Sequence, residues 1–567
     1  MAKTTNPLVE VDFIDRSNYV YPEATDDIVG VVIDADWGVP ETFRTLDRQA
    51  WEQFHDPLSL EAGNYSQAVV QRLFETGASY IEAFRIASKE QYKYIFGQTA
   101  PEPAEGETAA PFVLEQKNVE YTTVKQSGDP DMTPTAGQEV LFVMRQRCPR
   151  GFSGTVRFTQ VPLTKTQKIA ELGTKIPLYK MEYFLEQLDE AGNLPEGASA
   201  VETFQIAFTR VEVMGESFYY KDVLNAQSRF WMVPDNVESL VADLAVDATG
   251  TPEVSIKFDA PAKGNYTLDD YSKAYAQFMD RDQSQCTLLV STVDPNANVA
   301  NYASLLQTII EVANTRKDCV ALIGGPRTTL FGQLEDEDNK AAQEKYFADI
   351  MTSDMFDSQL AATERYTYKN KTYNLDGTAT NAGRITAVAA QFGNRNRLPS
   401  YKDTGYVNSV LNRSLKFDTV VALHDNDGIG AIYATSQGNY IFNISTGYAL
   451  RTSYFANLNV MRVTAALLKW LLSDVELTIH QDTVGNEVEL LRFQDRCNQK
   501  LQQMVSRNEL KADSVIKCGP EINTDELSMG GTCLNIECYL YYINLVKRVK
   551  IKIIASDSTT SVSISQE

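Results

Sequence analysis

The residues of this sequence best placed to do chemistry lie around His424. His424 precedes Asp425, a pair that could orient an imidazole as a general base, and residues 425–428 (Asp-Asn-Asp-Gly) resemble half of an EF-hand calcium loop. The Gly-Ile-Gly at 428–430 also matches the start of a dinucleotide fingerprint. Each pattern is incomplete, because no Ser or Cys nucleophile lies near His424, the first calcium ligand would fall on Leu423, and the third glycine is missing. We therefore interpret this stretch as a polar turn before a strand.

Two further short segments resemble parts of catalytic motifs, but neither matches its motif in full. Residues 323–326 (Ile-Gly-Gly-Pro) follow a predicted strand, where a phosphate loop would lie, yet they lack the Lys and the Ser or Thr that bind phosphate and magnesium. Residues 151–154 (Gly-Phe-Ser-Gly) are not a nucleophile elbow. His55 and His480 stand alone in the sequence. The sequence therefore indicates no catalytic residue and no cofactor, and we expect a protein that is not an enzyme.

The cysteines do not form a recognisable metal or disulfide pattern. Seven are present, an odd number, and they include no Cys-x-x-Cys pair. Only three histidines accompany them. We expect neither a zinc site nor a disulfide framework, and we expect synthesis in a reducing cytoplasm.

Composition and charge exclude several classes of protein. With 567 residues, 43% of them hydrophobic and 22% charged, the chain has an ordinary globular composition and a length typical of about three or four domains. The net charge of −23 opposes binding to nucleic acid. The N-terminal residues do not resemble a signal peptide, and the most apolar stretch, residues 463–472, is too short for a membrane span and contains Lys469.

Hydrophobic periodicity predicts an α/β core that begins near residue 26. Residues 28–33 form an apolar strand, apolar residues recur at helical spacing from Tyr65 to Phe74, and Gly77 ends this helix before a second strand at 79–84. This order is a β-α-β unit. It predicts a mixed sheet flanked by helices.

The α/β pattern is interrupted and then resumes. Residues 101–110 are rich in Pro, Glu and Ala, as linkers are. Strand patterns follow, with little helical periodicity before residue 215. Strand, helix and strand patterns return over residues 287–323. We therefore predict an α/β core split between residues 26–100 and 271–546, with an inserted β-rich outer domain at 101–270.

Two helices dominate the C-terminal third. The first is predicted over about 455–472 and the second over about 487–505, followed by strands at 514–518 and 532–540. Residues 334–364 are acidic and predict no more than a surface helix or loop. One apolar stripe of the second helix recurs at spacings of three and four: Leu490, Phe493, Cys497, Leu501 and Met504.

Both ends of the sequence predict extended arms. Residues 1–25 alternate weakly without a helical period, and residues 547–567 form a strand-like, half-polar stretch. Two such segments favour pairing with neighbouring subunits by strand addition, and the alternative is a pair of frayed termini.

The order of these segments resembles the sheath proteins of contractile phage tails. Residues 26–40 are similar to the family's opening strand, and residues 73–85 (LFETGASYIEAFR) to its helix, glycine and strand. Residues 288–326 resemble its strand, helix and "R.D…P" unit, matched by Arg316, Asp318 and Pro326.

Two C-terminal passages extend the resemblance. Residues 381–399 (NAGRITAVAAQFGNRNRLP) are similar to the family's "G.ia..aa..G.w..P" segment, although residues 394–397 replace the expected tryptophan. Residues 486–553 resemble the closing helix and terminal strands, with Cys518 and Asn523 at matching positions. The resemblance covers most of the core and omits residues 101–270, which in this family are a variable outward-facing insertion.

The resemblance implies a homopolymer of six-fold rings stacked helically around an inner tail tube, in contact with baseplate and tail terminator proteins. It would be assembled in the host cytoplasm as part of a virion tail, and its contraction would drive the tube through the host envelope. The N- and C-terminal arms would add strands to neighbouring subunits. The residues expected to make these polymer contacts are Val9, Val11, Phe13, Lys550, Ile551, Lys552 and Ile553.

The tube-facing surface and the exact kind of particle stay open at this point. Four basic residues of the C-terminal helices would face either the tube or solvent: Arg462, Lys469, Arg492 and Lys500. One alternative is the sheath of a bacterial contractile injection particle. Another is an α/β enzyme that binds a nucleotide or sugar phosphate, with residues 101–270 as a lid.

Overall fold

The fold was analysed in a computed structural model of the chain. The described residues are 27–35, 38–54, 64–101, 112–127, 138–147, 152–161, 178–210, 212–213, 216–234, 253–259, 265–295, 302–324, 357–361, 364–399, 404–407, 417–444, 446, 453–478, 487–524 and 534–543.

Strands and helices alternate along much of the chain. The strands are β1 (Ile28–Ile33), β2 (Phe43–Leu46), β3 (Tyr80–Arg85), β4 (Gln91–Gln98), β5 (Val113–Glu120), β6 (Val140–Gln146), β7 (Gly154–Val161), β8 (Leu178–Phe184), β9 (Glu202–Ile206), β10 (Glu212–Val213), β11 (Glu216–Ser217), β12 (Trp231–Met232), β13 (Glu253–Phe258), β14 (Leu288–Val290), β15 (Val320–Ile323), β16 (Asp357–Ala361), β17 (Glu364–Tyr368), β18 (Lys371–Leu375), β19 (Tyr406–Val407), β20 (Ile429–Thr435), β21 (Gly438–Phe442), β22 (Val515–Lys517) and β23 (Glu537–Tyr539). The helices are α1 (Arg48–Phe54), α2 (Tyr65–Thr76), α3 (Tyr121–Ser127), α4 (Tyr220–Gln227), α5 (Leu268–Ala276), α6 (Tyr302–Arg316), α7 (Thr378–Phe392), α8 (Phe417–Asp427), α9 (Leu458–Thr478) and α10 (Glu487–Ser506).

The largest sheet has nine strands in the order β19-β21-β20-β16-β15-β14-β1-β3-β2. Its centre is parallel: Val29 of β1 lies opposite Ile81 of β3 on one side and Leu288 of β14 on the other. All six residues of β1 are buried, as expected of a parallel strand covered on both faces. The mixed α/β fold predicted from the sequence is confirmed, whereas the predicted division into domains stays a prediction.

Helix α2 has clear start and stop signals in the sequence. Asn64 caps its N-terminus in a reciprocal capping box with Gln67, and Gly77 ends it with φ of 112°, a conformation that favours glycine. The helix packs against α7, where Gly383 allows the two helix backbones to approach closely. A Cβ on Gly383 would lie 2.0 Å from Thr76 Oγ1 and 2.7 Å from the carbonyl oxygen of Leu73, so the two helices cross closely only with glycine there.

Two antiparallel four-stranded sheets lie between β3 and α5 in the sequence. Their orders are β12-β6-β4-β5 and β13-β7-β8-β9. An aromatic core joins them, in which the rings of Phe142 and Phe208 stack at 4.2 Å and Phe112 contacts Phe158 edge-on at 5.8 Å.

The C-terminal helices share a separate core with the sheet of β22 and β23. The predicted stripe of α10, from Leu490 to Met504, is buried throughout, as the sequence indicated. It packs with Val463 and Leu467 of α9 and with Ile516 of β22.

Two segment interpretations were wrong in detail. Residues 357–361, which the acidic composition assigned to a surface helix or loop, form β16 inside the largest sheet. Residues 425–427 are the last turn of α8 rather than a polar turn, and Gly428 ends that helix with φ of 69° before β20. Among the described residues, no helix is long and apolar enough to cross a membrane.

Candidate functional site at the junction of the chain ends

The loop at residues 394–397, here called the NRNR loop, follows α7 and is fixed by local hydrogen bonds. Gly393 ends α7 with φ of 59°, and the backbone N–H of Asn394 donates to the carbonyl of Ala389 at 3.1 Å. The Asn394 side chain accepts from the N–H of Asn396 at 2.7 Å, which forms an Asx turn. The Arg397 guanidinium lies over the ring of Phe392 at 4.6 Å. The loop is therefore a rigid platform.

On one side this platform holds Asp27, the first residue that the structure describes. Arg462 of α9 donates to the Asp27 carboxylate, and Arg395 Nε lies 3.6 Å from its other oxygen. Arg462 also donates to the carbonyl of Arg395 at 3.0 Å. Burial alone would raise the pKa of Asp27, but the two guanidinium groups outweigh it and hold the pKa below its usual range.

On the other side the platform holds Ile543, the last residue that the structure describes. The Asn396 side-chain amide donates to the Ile543 carbonyl at 2.9 Å, and its oxygen accepts from Asn459 of α9. The preceding residue, Tyr542, hydrogen-bonds through its hydroxyl to Thr464 of α9 at 2.7 Å. Asp27 and Ile543 are here called the N-terminal and C-terminal roots. Both contact the NRNR loop, and Asp27 and Tyr542 also contact α9.

The NRNR loop also contacts the segment that follows α10. Glu509 is fully buried and accepts from the N–H of Arg395 at 3.0 Å, while the Arg395 guanidinium lies 3.6 Å from the same oxygen. Two arginines and two carboxylates therefore balance in charge inside the junction. Such an arrangement positions chain segments, because each buried charge needs its partner.

A second buried ionic group lies next to residues 284–286, which lead into β14. Arg316 makes a bidentate pair with Asp318 at 2.8 and 2.9 Å and also donates to the carbonyls of Phe278 and Ser284. Glu82 accepts from the N–H groups of residues 285 and 286 and from Ser284 Oγ at 2.6 Å. Burial raises the pKa of Glu82 despite these hydrogen bonds. Lys469 completes the group by donating to the carbonyl of Gln285.

The four basic residues expected on a surface divide into two pairs. Arg462 is 3% exposed and Lys469 is half-buried, and both donate to groups of their own protomer. Burial lowers the pKa of Lys469. Arg492 is exposed on α10, and Lys500 lies half-buried over the ring of Trp470 at 5.7 Å. The sequence could not separate the pairs, because the partners Asp27 and Gln285 are remote in the chain. A tube-facing role of Arg492 and Lys500 stays a prediction.

The residues predicted to make polymer contacts lie outside the described residues. They are Val9, Val11, Phe13, Lys550, Ile551, Lys552 and Ile553. What the structure does describe is a sheet of only two strands, β22 and β23, close to the root at Ile543. Tyr539 at the end of β23 is 45% exposed, and Tyr541, two residues after it, is 52% exposed.

The motif around His424 gives no enzyme-like constellation in the described residues. His424 is buried, its Nδ1 lies 3.0 Å from Asp425, and its ring packs edge-on against Phe442. Within the same part of the chain, no cluster of His, Cys, Asp and Glu could hold a metal ion.

Comparison with known proteins gave results at the level of structure alone. No family model matches the sequence, and no curated protein matches it. A sheath tail protein, Lin1278, from Listeria innocua is similar with a TM-score of 0.49 and 8% identity, over 91% of this chain and 95% of that one. A sheath tail protein from Desulfitobacterium hafniense gives a TM-score of 0.48 and 9% identity over 92% and 94%. The contracted helical sheath of the anti-feeding prophage gives 0.39 and 13% over 54% and 78%.

The structural neighbours are sheath tail proteins and the sheaths of contractile injection systems.

Proposed function

We propose that this chain is the structural subunit of a contractile tail sheath. It polymerises as stacked six-fold rings around an inner tube, with baseplate and tail terminator proteins at the two ends of the polymer. Contraction of the polymer drives the tube through the host envelope, and the assembled protein belongs to a virion tail. The chain binds no cofactor and catalyses no reaction.

The observation that carries this proposal is that the residues of the sheath-like sequence pattern meet one another in the fold. Gly77 and Gly383 belong to separate passages of the pattern and lie at the crossing of α2 and α7, where a Cβ on Gly77 would be 2.6 Å from the Cβ of Ala387. Arg316 and Asp318 form the bidentate buried pair. The pattern residues are therefore contacts of the core, which supports the resemblance.

Asn523 gives the same support in the C-terminal passage. Its side-chain amide donates to the carbonyls of Cys518 and Asn535 at 3.0 and 3.1 Å, and its oxygen accepts from the N–H of Asn535 at 2.7 Å. A single asparagine thus closes the loop between β22 and β23.

Polymer contacts in this proposal come from the terminal segments. Residues 1–25 and 547–567 add strands to the two-stranded sheet of a neighbouring subunit, and each backbone hydrogen bond contributes about 1 kcal/mol net. Contacts of this kind can persist while the cores rotate and slide. Contraction is then a collective change from an extended packing to one of lower free energy, without a chemical fuel.

Negative-stain electron microscopy of three purified proteins tests the proposal: the full chain, a variant lacking residues 554–567, and the surface variant Glu190→Ala as a matched control. We expect striated rods or hollow cylinders from the full chain and from the control, and discrete particles from the truncated chain. Discrete particles from all three would contradict a sheath function, and a thermal-shift screen with nucleotides and sugar phosphates would then test the α/β enzyme alternative.

A further inference from the structure

We propose that the NRNR loop and Arg462 form a clamp that couples the roots of the two terminal segments, so that a displacement at Asp27 is transmitted to Ile543. This inference rests on the proposed function only for its consequence in a polymer. The coupling itself is a property of the single chain. The residues that form the clamp are positioning residues: Asp27, Arg395, Asn396, Asn459 and Arg462.

The path between the two roots is short and continuous. From Asp27 it passes through the Arg462 guanidinium to the carbonyl of Arg395 at 3.0 Å. Asn396 follows in the chain and donates to the Ile543 carbonyl at 2.9 Å. Asn459 ties Asn396 back to α9, the helix that also carries Arg462. Every step of the path is a covalent bond, a hydrogen bond or an ion pair.

Burial makes the path stiff. Asp27, Asn396, Asn459 and Arg462 are each 3–4% exposed, and Arg395 is 6% exposed. A surface ion pair could exchange its partner for water at little cost, but a buried charge that loses its partner is strongly destabilising. The Asp27 carboxylate therefore moves together with the arginines.

Each root also has a contact outside the clamp. At the N-terminal root, the N–H of Ile28 donates to Thr287 Oγ1 at 3.0 Å, and Asp27 accepts from the same hydroxyl at 3.2 Å. At the C-terminal root, the carbonyl of Tyr541 accepts from the N–H of Lys511 at 2.7 Å, while the carbonyl of Ile543 accepts from Asn396. A displacement at either root is therefore shared between these contacts and the NRNR loop.

In a polymer joined by its terminal segments, this clamp gives each subunit a direct link between its two neighbours. A force applied at one root is transmitted to the other root through the clamp, and not only through the strands of the largest sheet.

Hydrogen exchange measured by mass spectrometry on the full chain tests the coupling. The variants are Asp27→Asn and Asn396→Ala, with Arg72→Gln as the control, since Arg72 forms a comparable pair with Glu364 away from both roots. We expect Asp27→Asn to speed exchange of the peptide at 538–543 about tenfold, and Asn396→Ala to speed exchange at 27–33 by a similar factor. The control should change neither peptide.

The coupling would be contradicted if Asp27→Asn changed the exchange rate only at 27–33 and Asn396→Ala changed it only at 538–543. Peptides from β7 and β8 report whether a variant has unfolded as a whole, and Asn396→Ala, which removes no charge, provides the test if Asp27→Asn does unfold.

Sedimentation of polymers separates this inference from the proposed function. If the wild-type chain forms no polymer, the sheath proposal fails. The hydrogen-exchange data would still show whether the two roots are coupled. If the wild type and Arg72→Gln both form polymers, we expect shorter or fewer polymers from Asn396→Ala. Polymers of unchanged length from Asn396→Ala, together with local exchange effects, would count against the clamp alone.

Discussion

Arg462 of α9 and Asp27, immediately before β1, form an ion pair inside the protein although the two residues lie almost a whole chain apart in sequence. The pair joins the start of the largest sheet to the C-terminal helices. It also fixes the residue that leads into β1. The relationship between these two side chains therefore links the architecture of the subunit to its proposed assembly.

Replacing Asp27 by Asn should destabilise the protein by about 3–5 kcal/mol near pH 7, because Arg462 would keep its charge without a buried carboxylate and Arg395 would retain only Glu509. The folded pKa of Asp27 lies below its ordinary value of 3.8, so the stabilising contribution is present above that pH and is lost as the pH falls through the folded pKa. Urea denaturation of both proteins at a series of pH values measures the difference.

The difference should stay constant from pH 7 to about pH 4 and shrink below that. A difference that declines between pH 7 and pH 5 would show that another titrating group is responsible.

Arg316→Lys should destabilise the protein even though it keeps the charge. The planar guanidinium makes two parallel bonds to Asp318 and bonds to two backbone carbonyls, a set that a lysine ammonium cannot reproduce. We expect a loss of about 2–4 kcal/mol by denaturant unfolding.

The exposed pair of Arg48 and Glu52, at 3.0 Å, offers a matched control. Arg48→Lys should change stability by less than about 0.5 kcal/mol. Equal losses in Arg316→Lys and Arg48→Lys would mean that the buried pair has no special role.

Gly383→Ala should force α2 and α7 apart, because the new methyl group would meet the backbone oxygen of Leu73 at 2.7 Å. We expect a loss of about 1–3 kcal/mol, measured as a lower midpoint of thermal or urea unfolding. Gly393→Ala is the comparison, since its Cβ would meet nothing within 4 Å and only the left-handed φ of 59° opposes it, at about 1 kcal/mol. The opposite order of the two losses would contradict the close helix crossing.

Charge reversal separates the two classes of basic residue in the C-terminal helices. Arg462→Glu would place a carboxylate beside Asp27 in the interior, and we expect the variant not to fold. Arg492→Glu lies on the exposed face of α10 and should change the free energy of unfolding by less than about 0.5 kcal/mol. Circular dichroism and urea titration check both. A folded Arg462→Glu protein would show that the pair with Asp27 is dispensable.

Strong periodicity made some elements predictable from sequence. The stripe of α10 and the capped helix α2 repeat at helical spacing over several turns, so local residues alone identify the buried face. β1 is a continuous apolar strand, which is typical of a central parallel strand.

Other elements depend on contacts that no local pattern reveals. β16 (DSQLA) lies inside the sheet, but its polar sequence follows an acidic stretch and carries no apolar alternation. Arg462 and Lys469 resemble the surface lysines and arginines of any amphipathic helix, and only the fold shows that they bond to residues before β1 and β14. The junction at the NRNR loop could not be predicted for the same reason, since it joins residues from both ends of the chain.

The measurement that tests the central claim most directly is a helical reconstruction by cryo-electron microscopy of polymers formed by the full chain. We predict six-fold rings in which residues 9–13 and 550–553 of each subunit extend as strands onto the β22 and β23 sheet of a neighbouring copy. Rings in which both terminal segments fold back onto their own subunit, or particles without helical order, would contradict the account.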